Sequence, residues 1–439
     1  MTREYDRYFI RKTLEALLPG VHIEEEYCSQ DAVRERYVRE PYDGKTGIYN
    51  EKDQVRIWFD VDDGKSVVLS VGRDEIPISS REKDLLKYLP DALQHMLPEA
   101  ENLEWLQIQR ISARMALGST IVSKFLHRKD YKGFWGPAYL LMILQGVLAR
   151  DYEGNRATSG FVVIPKMHEL EAPKLYQHYD IHLFEEPTQI DEDFFDDPVS
   201  YRYIDGRNAF YLIDRQSFVR GILRVREPLK WSLGNRVYGQ HLSPLLNHLH
   251  GKTWAAIIGN SRDIQIMTRG GPEIRWSQNQ WQFIHLENIH RYIVQHTEND
   301  EVALYLWKIA FMLSVMRIGA LILIPNGTRK PEYASQIDFS ALQDKIFLTM
   351  KGIHIKSFVD GVGMFGVFGS DGLVVVDKGG IIEEAGRIVA TEKKDQAVAG
   401  GGRTQAASTC SKYGLVIKVS EDGPISIVHN ERIILKTIG

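Results

Sequence analysis

Cysteine is scarce in this chain, which has only Cys28 and Cys410 among its 439 residues. Two cysteines so far apart in sequence do not make the disulfide framework of a small secreted protein, and they leave no cysteine-rich zinc motif. This scarcity is typical of proteins in a reducing compartment, so we expect the protein to be cytoplasmic.

Long apolar runs are missing as well. The strongest, IGALILI from Ile318 to Ile324, is far shorter than the roughly 20 residues that a membrane-spanning helix needs. The amino-terminal stretch MTREYDRYFIRK is too charged for the apolar core of a secretory signal. We therefore expect no association with a membrane.

No extended block of basic residues occurs either. The formal net charge is -4, from 54 lysines and arginines against 58 aspartates and glutamates. This balance does not predict a surface for nucleic acid, because such surfaces carry clustered basic residues. Any anion-binding site has to be local.

What the chain does contain is the composition of a globular protein of two or three domains, with 44% hydrophobic and 26% charged residues. Periodicity and turn signals divide it into an α+β region over 1–150, a strand-rich region over 151–290 and a domain over 291–439. The predicted fold class is α/β, with a mixed sheet and flanking helices in the last domain and an α+β region before it.

In the first region, VRIWFDV (Val55 to Val61) and SVVLSVG (Ser66 to Gly72) are joined by the turn-forming DDGK. This arrangement predicts a β-hairpin. AYLLMILQGVLAR (Ala138 to Arg150) is apolar nearly all round, which predicts a buried helix.

The second region contains an acidic stretch from Phe184 to Pro198, which holds seven carboxylates. A cation site is one interpretation, but a solvated loop is the one we favour. The stretches 208–225 and 254–284 are predicted to form a small antiparallel sheet. His241, His248 and His250 lie between them, but this spacing does not put three ligands on one helical face and no cysteine joins them, so we do not expect a metal site there.

The third region alternates helices and strands. EVALYLWKIAFMLSVM (Glu301 to Met316) is predicted to be a helix with Val302 and Met316 on its apolar face, and it leads directly into the strand IGALILI. A further helix is predicted over 339–350, a strand, turn and strand over 366–389, a short helix after the triple glycine, and a last hairpin over 414–430. These elements predict a mixed α/β domain.

The stretch AVAGGGRTQAASTCS, from Ala397 to Ser411, sets three glycines and Arg403 before the short helix. A glycine-rich loop at the start of a helix can bind phosphate through backbone N–H groups, and an arginine adds bidentate contacts. A flexible surface loop is the other interpretation. Asp371-Gly372, before the strand of 373–376, is by itself a common turn dipeptide.

The order of four motifs in 299–439 resembles the diadenylate cyclase domain, a nucleotidyltransferase domain also found in the DNA-integrity scanning protein. RIGALILI (Arg317 to Ile324) is similar to a strand of the family, and Asp371-Gly372-Leu373 is similar to its Asp-Gly-Ala motif. The run 401–407 corresponds to its Gly-Thr-Arg-His-Arg-Ala-Ala segment, and IKVSEDGPISIV to its last hairpin. Residues 1–290 resemble, more loosely, the sensor regions that precede such domains in bacterial proteins, mainly through 205–284.

The resemblance implies an enzyme that condenses two ATP molecules into the second messenger cyclic di-AMP and releases two pyrophosphates. Two cyclase domains face each other in this family, so the implied partners are ATP and a second copy of the domain. The implied cofactor is a divalent ion, Mg²⁺ or Mn²⁺, held by Asp371 and by Glu421, although Glu421 can also be a simple turn residue. Asp371 and Arg403 are the implied catalytic residues. The residues implied to bind the nucleotide are Gly372, Leu373, Gly401, Gly402, Arg403, Thr404 and Gln405.

One departure from the family pattern concerns the phosphate-binding segment. Where the family has Arg-His-Arg, this chain has Arg403-Thr404-Gln405. Loss of one charged phosphate contact lowers affinity by about 10- to 150-fold, unless Lys412, Arg387 or a residue of the amino-terminal part replaces it. The sequence therefore predicts either a divergent active cyclase or a nucleotide-binding relative that no longer turns over.

Overall fold

The computed structural model describes residues 2–37, 46–62, 64–90, 92, 117–127, 137–191, 193–197, 199–214, 216–226, 239–249, 253–259, 261–284, 286–327, 337–338, 349–359, 363–370, 372–390 and 401–437. The chain forms two compact units, one of Met1–Arg226 with Ser243–His285 and one of Glu227–Leu242 with Leu286–Gly439. Mixed sheets with flanking helices confirm the predicted α/β class. The division of the first unit at residue 150 stays a prediction.

The first unit begins with a four-stranded antiparallel sheet of order β1-β4-β3-β2. Its strands are β1 (His22–Ser29), β2 (Thr46–Asn50), β3 (Val55–Asp62) and β4 (Lys65–Gly72). The predicted hairpin is confirmed, since β3 pairs with β4. The helices of this part are α1 (Thr2–Leu17), α2 (Gln30–Tyr37) and α3 (Ser80–Leu86). Residues 117–127 are also helical. The next helix, α4 (Pro137–Val147), confirms the helix predicted from Ala138 to Arg150.

A buried ion pair supports the start of α3. The Ser79 side chain accepts a hydrogen bond from Glu82 N, and Glu82 Oε2 accepts one from Ser79 N, which makes a capping box. Glu82 also faces Arg73, with an Nη2 to Oε1 distance of 2.5 Å. Arg73 Nε donates to Pro19 O at 2.6 Å. Both charged side chains are almost fully buried, so each stabilises the charge of the other in place of water.

The second sheet of this unit has eight strands in the order β14-β13-β12-β11-β7-β9-β10-β8, and β5 and β6 form a separate small hairpin. The bounds are β5 (Asp151–Tyr152), β6 (Asn155–Arg156), β7 (Ser159–Ile164), β8 (Tyr179–Gln189), β9 (Ala209–Asp214), β10 (Phe218–Val225), β11 (Trp254–Ile258), β12 (Ile264–Thr268), β13 (Gly271–Ser277) and β14 (Gln280–Phe283). Helices α5 (Val199–Arg202) and α6 (Ser243–His248) and 3-10 helices over Met167–Glu171, Leu175–Gln177 and Asp193–Phe195 connect them.

Two predictions for this sheet were wrong. The strand-rich region forms a large mixed sheet rather than a small antiparallel one, because β7 pairs with β9 in parallel. The acidic stretch is not a loop over its whole length, since 184–189 lies in β8 at the edge of the sheet. Charged side chains are common on edge strands, where they prevent unwanted pairing, so composition does not distinguish such a strand from a solvated loop.

The second unit contains a seven-stranded sheet of order β16-β18-β17-β15-β19-β20-β21. The strands are β15 (Ala320–Pro325), β16 (Ile337–Asp338), β17 (Leu373–Val376), β18 (Ile382–Val389), β19 (Gly414–Val419), β20 (Ile425–His429) and β21 (Arg432–Lys436). The helices are α7 (Leu286–Thr297), α8 (Asp300–Val315), α9 (Lys356–Val359), α10 (Gly363–Phe368) and α11 (Gly402–Cys410), with a 3-10 helix over Gln240–Leu242. β15 and β17 are parallel and the other neighbours are antiparallel.

Most predicted elements of this unit are confirmed. Asn299 caps α8 by accepting hydrogen bonds from two backbone N–H groups of its first turn. The helix is buried on more than its predicted face, since Trp307 and Phe311 are also buried, whereas Met316 follows the helix and is exposed. Most of the helix predicted over 339–350 lies outside the described residues. In the part of the chain that the structure describes, no helix has the length and hydropathy to cross a membrane.

Candidate functional site

Segments that are far apart in sequence meet at one end of the seven-stranded sheet. β15 and β17 run in parallel, so their starts lie side by side. β19 runs antiparallel to β15, so the end of β19 lies on the other side of the same start. Gly319, Gly372 and Glu421 flank these three strand ends. We call this end of the sheet the candidate site, and it brings together three of the four motifs that the sequence singles out.

The fourth motif reaches the candidate site through α11. This helix packs on the sheet with Ala406, Ala407 and Cys410 in one apolar cluster, and burial raises the pKa of the Cys410 thiol to about 12. Its first turn carries Arg403, whose Nη1 donates to Glu421 Oε1 at 2.6 Å. A Cβ atom at Gly319 would lie 2.5 Å from Arg403 Nη1. Arg403, Glu421 and Gly319 are therefore direct neighbours.

Packing does not require glycine at Gly401 or Gly402, although glycine is also a favourable N-cap residue. Gly401 is the N-cap of α11 with φ of -70°, an angle that any residue adopts, and no side chain caps the helix there. A Cβ atom at either position would meet nothing within 4 Å. Glycine is usually retained where the backbone has to turn or to approach another group closely. The described protein atoms supply neither reason here.

Gly372 has a clear structural reason. A Cβ atom at this position would lie 2.6 Å from Gly386 C and 2.8 Å from Arg387 N. Gly386 itself has a positive φ of 64°, at an irregularity in the pairing of β17 with β18. Leu373 follows with its side chain fully buried in the core beneath α11. Close strand packing alone accounts for the glycine, and only the backbone of Leu373 is near the candidate site.

We expect Gly372→Ala to destabilise the protein by about 1–3 kcal/mol, the usual cost of forcing extra atoms into a packed region. The atoms that the new methyl group would meet belong to the backbone of β18 and cannot rotate away. Urea unfolding measures the change. Gly366→Ala in α10 is the control, because a Cβ atom there meets nothing within 4 Å. An unchanged unfolding midpoint for Gly372→Ala would contradict the close packing.

The predicted metal ligands are only partly described. Asp371, which directly precedes Gly372, lies outside the described residues. The Glu421 side chain is 71% exposed, and one of its oxygens accepts the hydrogen bond from Arg403. Carboxylate oxygens are the donors that Mg²⁺ and Mn²⁺ prefer, so both residues fit such an ion by donor type. Within the described ranges, no group of three or more His, Cys, Asp and Glu side chains is arranged to hold a metal ion.

Lys418 is a basic residue of this region that the sequence interpretation missed. It lies in β19, and its Nζ donates to Thr404 Oγ1 at 2.7 Å. Burial lowers the pKa of Lys418, and the charge of Lys436 adds to this effect; the charge of Asp422 opposes it, and the charge of Arg403 lowers the pKa by less than Asp422 raises it. The signal was present in the sequence, since Lys418 is the only charged residue of the strand GLVIKV.

The two residues named from sequence as replacements for the missing arginine are occupied elsewhere. Lys412 follows the end of α11, opposite to Arg403, and its Nζ lies 3.5 Å from Glu431. With a rise of 1.5 Å per residue, it is more than about 10 Å along the helix from Arg403. Arg387 is buried in β18, and its Nε donates to Glu384 at 2.9 Å. Thr404 contacts Lys418, and Gln405 is exposed on the first turn of α11.

Comparison with known proteins assigns no family to the chain. No family model matches it, and no curated protein matches it. Among solved structures, a hypothetical membrane spanning protein from Bacillus cereus is 22% identical, covering 34% of this chain and 71% of that chain, with a TM-score of 0.26. A double mutant of DacA from Staphylococcus aureus is 18% identical, covering 31% of this chain and 87% of that chain, with a TM-score of 0.24. TM-scores this low establish neither a shared fold nor a shared function.

Proposed function

We propose that the second unit is a nucleotidyltransferase of the diadenylate cyclase type, which condenses two ATP molecules into cyclic di-AMP and releases two pyrophosphates. The observation that carries this proposal is the convergence of four separate motifs on one end of a sheet. Arg403, Glu421, Gly319 and Gly372 come from different segments, and each belongs to one of the motifs that resemble the cyclase domain. Such a convergence is the usual arrangement of a ligand site built on strand ends.

In the proposed reaction, the 3′-hydroxyl of one ATP attacks the α-phosphate of the other. The new P–O bond forms as the bond from the α-phosphorus to the oxygen shared with the β-phosphate breaks, the hydroxyl proton passes to the Asp371 carboxylate, and pyrophosphate departs. Arg403 and the N–H groups at the start of α11 would bind the triphosphate and balance its negative charge. Asp371 would orient the attacking hydroxyl. A divalent ion bound by Asp371 and Glu421 would neutralise charge on the transferred phosphoryl group.

Because each product molecule contains two new bonds, two copies of the unit would have to face each other, each supplying one ATP. We therefore propose self-association through the second unit, with the first unit controlling how the copies meet. A cytoplasmic location belongs to the same proposal, since its substrate is a cytoplasmic nucleotide.

A second candidate is a nucleotide-binding protein without turnover. The Arg403 to Glu421 hydrogen bond favours it, because a carboxylate that serves an arginine is less available to a metal ion. The replacement of the Arg-His-Arg segment by Arg403-Thr404-Gln405 favours it as well. Both candidates use the same site and differ only in whether a product forms.

Incubation of the full chain with ATP and Mn²⁺, followed by mass spectrometry of the products, separates the two. Cyclic di-AMP and pyrophosphate in a one-to-two ratio support the cyclase. Binding of ATP in calorimetry without any product supports the second candidate, and absence of binding rules out both. Parallel incubations with GTP, CTP and UTP determine the base preference.

Gly402→Ala tests whether this glycine serves a ligand. Since a Cβ atom at this position has open space around it, and alanine favours a helix over glycine by up to about 1 kcal/mol, we expect equal or higher stability. We also expect ATP to bind at least about 10-fold more weakly, because the new methyl group would keep a phosphate oxygen out of hydrogen-bonding distance of the backbone N–H groups, and one hydrogen bond to a charged group contributes about that much. Thermal unfolding and calorimetry measure the two quantities, with Gly366→Ala as the control. Unchanged ATP affinity would show that the glycine is only part of a surface turn.

A further inference from the structure

One row of residues crosses the seven-stranded sheet at the candidate site. Leu321 of β15 lies opposite Lys418 of β19, Lys418 lies opposite Ser426 of β20, and Ser426 lies opposite Lys436 of β21. Residues directly opposite each other in a sheet project from the same face. Leu321 belongs to the apolar cluster beneath α11. Lys418 and Lys436 are therefore on the face that α11 covers.

This row places Lys436 on the same face as Lys418, two strands away, so positive charge exceeds negative charge around Lys418. Lys418 is only partly exposed, and burial and the charge of Lys436 lower its pKa, with a smaller lowering by Arg403 and an opposing effect of Asp422. Within the described part of the chain, no carboxylate comes within 4.0 Å of the Lys418 ammonium group, whose hydrogen-bond acceptor is the neutral hydroxyl of Thr404. Of the charged groups around it, Arg403 has its own carboxylate partner, Glu421, and Asp422 is exposed.

A partly buried ammonium group beside two other cations is unfavourable for the protein alone. Removing a charge from water is costly, and like charges add repulsion. A bound polyanion would reverse both effects, because it would supply charge-assisted hydrogen bonds and neutralise the repulsion. The charge of Lys418 is therefore unfavourable in the free protein, and a bound anion would stabilise it.

On the basis of the proposed function, we propose that Lys418 is a phosphate-binding residue, whose ammonium group contacts the triphosphate of the nucleotide alongside Arg403. Thr404 positions the ammonium group through its hydroxyl. The ligand chemistry is that of a polyphosphate anion. In this role Lys418, from β19, supplies the second positive charge that the segment Arg403-Thr404-Gln405 lacks.

Calorimetry with two probes, inorganic tripolyphosphate and ATP, tests the proposal on the full chain. We expect Lys418→Met to weaken binding of both probes by about 10- to 100-fold, the range for one charge-assisted hydrogen bond. Lys418→Arg is expected to retain most of the affinity. Lys412→Met removes an exposed lysine beyond the other end of α11 and is expected to change nothing. The thermal midpoint of Lys418→Met should equal or exceed that of the wild type, because a strained charge has been removed.

Lys418→Gln separates the charge from polarity, because its amide is a hydrogen-bonding group that carries no charge. Weak binding by this variant supports the proposal. Wild-type binding by Lys418→Gln overturns it, as does wild-type binding by Lys418→Met or failure of the wild type to bind tripolyphosphate. If tripolyphosphate binds through Lys418 while ATP gives no cyclic product, the proposal stands and the proposed reaction fails. If Lys418→Gln forms product from ATP at the wild-type rate and affinity, the reaction stands and this proposal fails.

Discussion

Asp371→Asn is expected to abolish the formation of cyclic di-AMP, with a fall in rate of at least about 100-fold, the lower end of what a positioned acid or base contributes. The substitution keeps the size of the side chain and removes its negative charge. In the proposed reaction that charge orients the attacking hydroxyl and helps to hold a divalent ion. The measurement is the amount of cyclic product and pyrophosphate formed from ATP over time.

Asp377→Asn is the matched control for this prediction. Asp377 lies just beyond the other end of β17, where its Oδ1 accepts a hydrogen bond from Ile381 N at 2.7 Å. An asparagine can accept the same hydrogen bond, so activity should stay at the wild-type level. Wild-type turnover by Asp371→Asn would remove the catalytic assignment. A loss of turnover that is equal in both variants would show that the effect is structural.

Glu82→Gln is expected to destabilise the first unit by about 3–5 kcal/mol, the cost of removing one partner of a buried ion pair. The side chains of Arg73 and Glu82 are only 4% and 3% exposed, so water cannot replace the lost carboxylate charge. The capping box of α3 can be kept, because the glutamine carbonyl oxygen can still accept the hydrogen bond from Ser79 N, so the loss reports on the ion pair with Arg73. Urea unfolding followed by circular dichroism measures the loss.

The control is Glu26→Gln, which breaks a pair with Arg36 whose side chains are both more than half exposed. Exposed pairs of this kind contribute little to stability, because water screens both charges. A similar small change for Glu82→Gln would mean that the buried pair adds nothing to stability.

The effect of Glu82→Gln on the free energy of unfolding should depend on pH, because it depends on the charge of Glu82. Burial alone would raise its pKa, but the charge and hydrogen bonds of Arg73, with those from Ser79, hold the pKa below its usual value. A carboxyl group with a lowered pKa in the folded state stabilises the protein above its unfolded pKa, and this stabilisation is lost as the pH falls through the folded pKa. The difference between the wild type and Glu82→Gln should therefore be largest near neutral pH and shrink in acid.

The local elements of the second unit could be predicted from sequence because their signals are local. The α8 helix has a 3.6-residue apolar period and an asparagine cap, and β15 is a short apolar run. Both signals act over a few residues. The edge strand β8 was missed because its acidic composition is equally typical of a loop.

The candidate site could be predicted only in part, because its contacts join distant segments. The motifs identified Arg403 and Glu421 separately, but nothing in the sequence indicated that they form a hydrogen bond. Lys418 was missed because its importance depends on the register between β15, β19 and α11. The sequence motif assigned Gly372 to nucleotide binding, whereas the close packing of β17 against β18 already explains why glycine is needed there.

The position of β15 has a consequence for how the candidate site forms during folding. Its two neighbours, β17 and β19, come from far along the chain, so closing this sheet requires long-range loops and gives the unit a high contact order. Loops of this kind form slowly, after local helices and hairpins. Arg403 and Glu421 are only 18 residues apart, but Gly319 and Gly372 join them only when β17 and β19 have docked on either side of β15, so the capacity to bind a nucleotide would appear with the last long-range step and not gradually. Folding intermediates of this unit would be unable to bind, which would make nucleotide binding a direct reporter of the completed sheet.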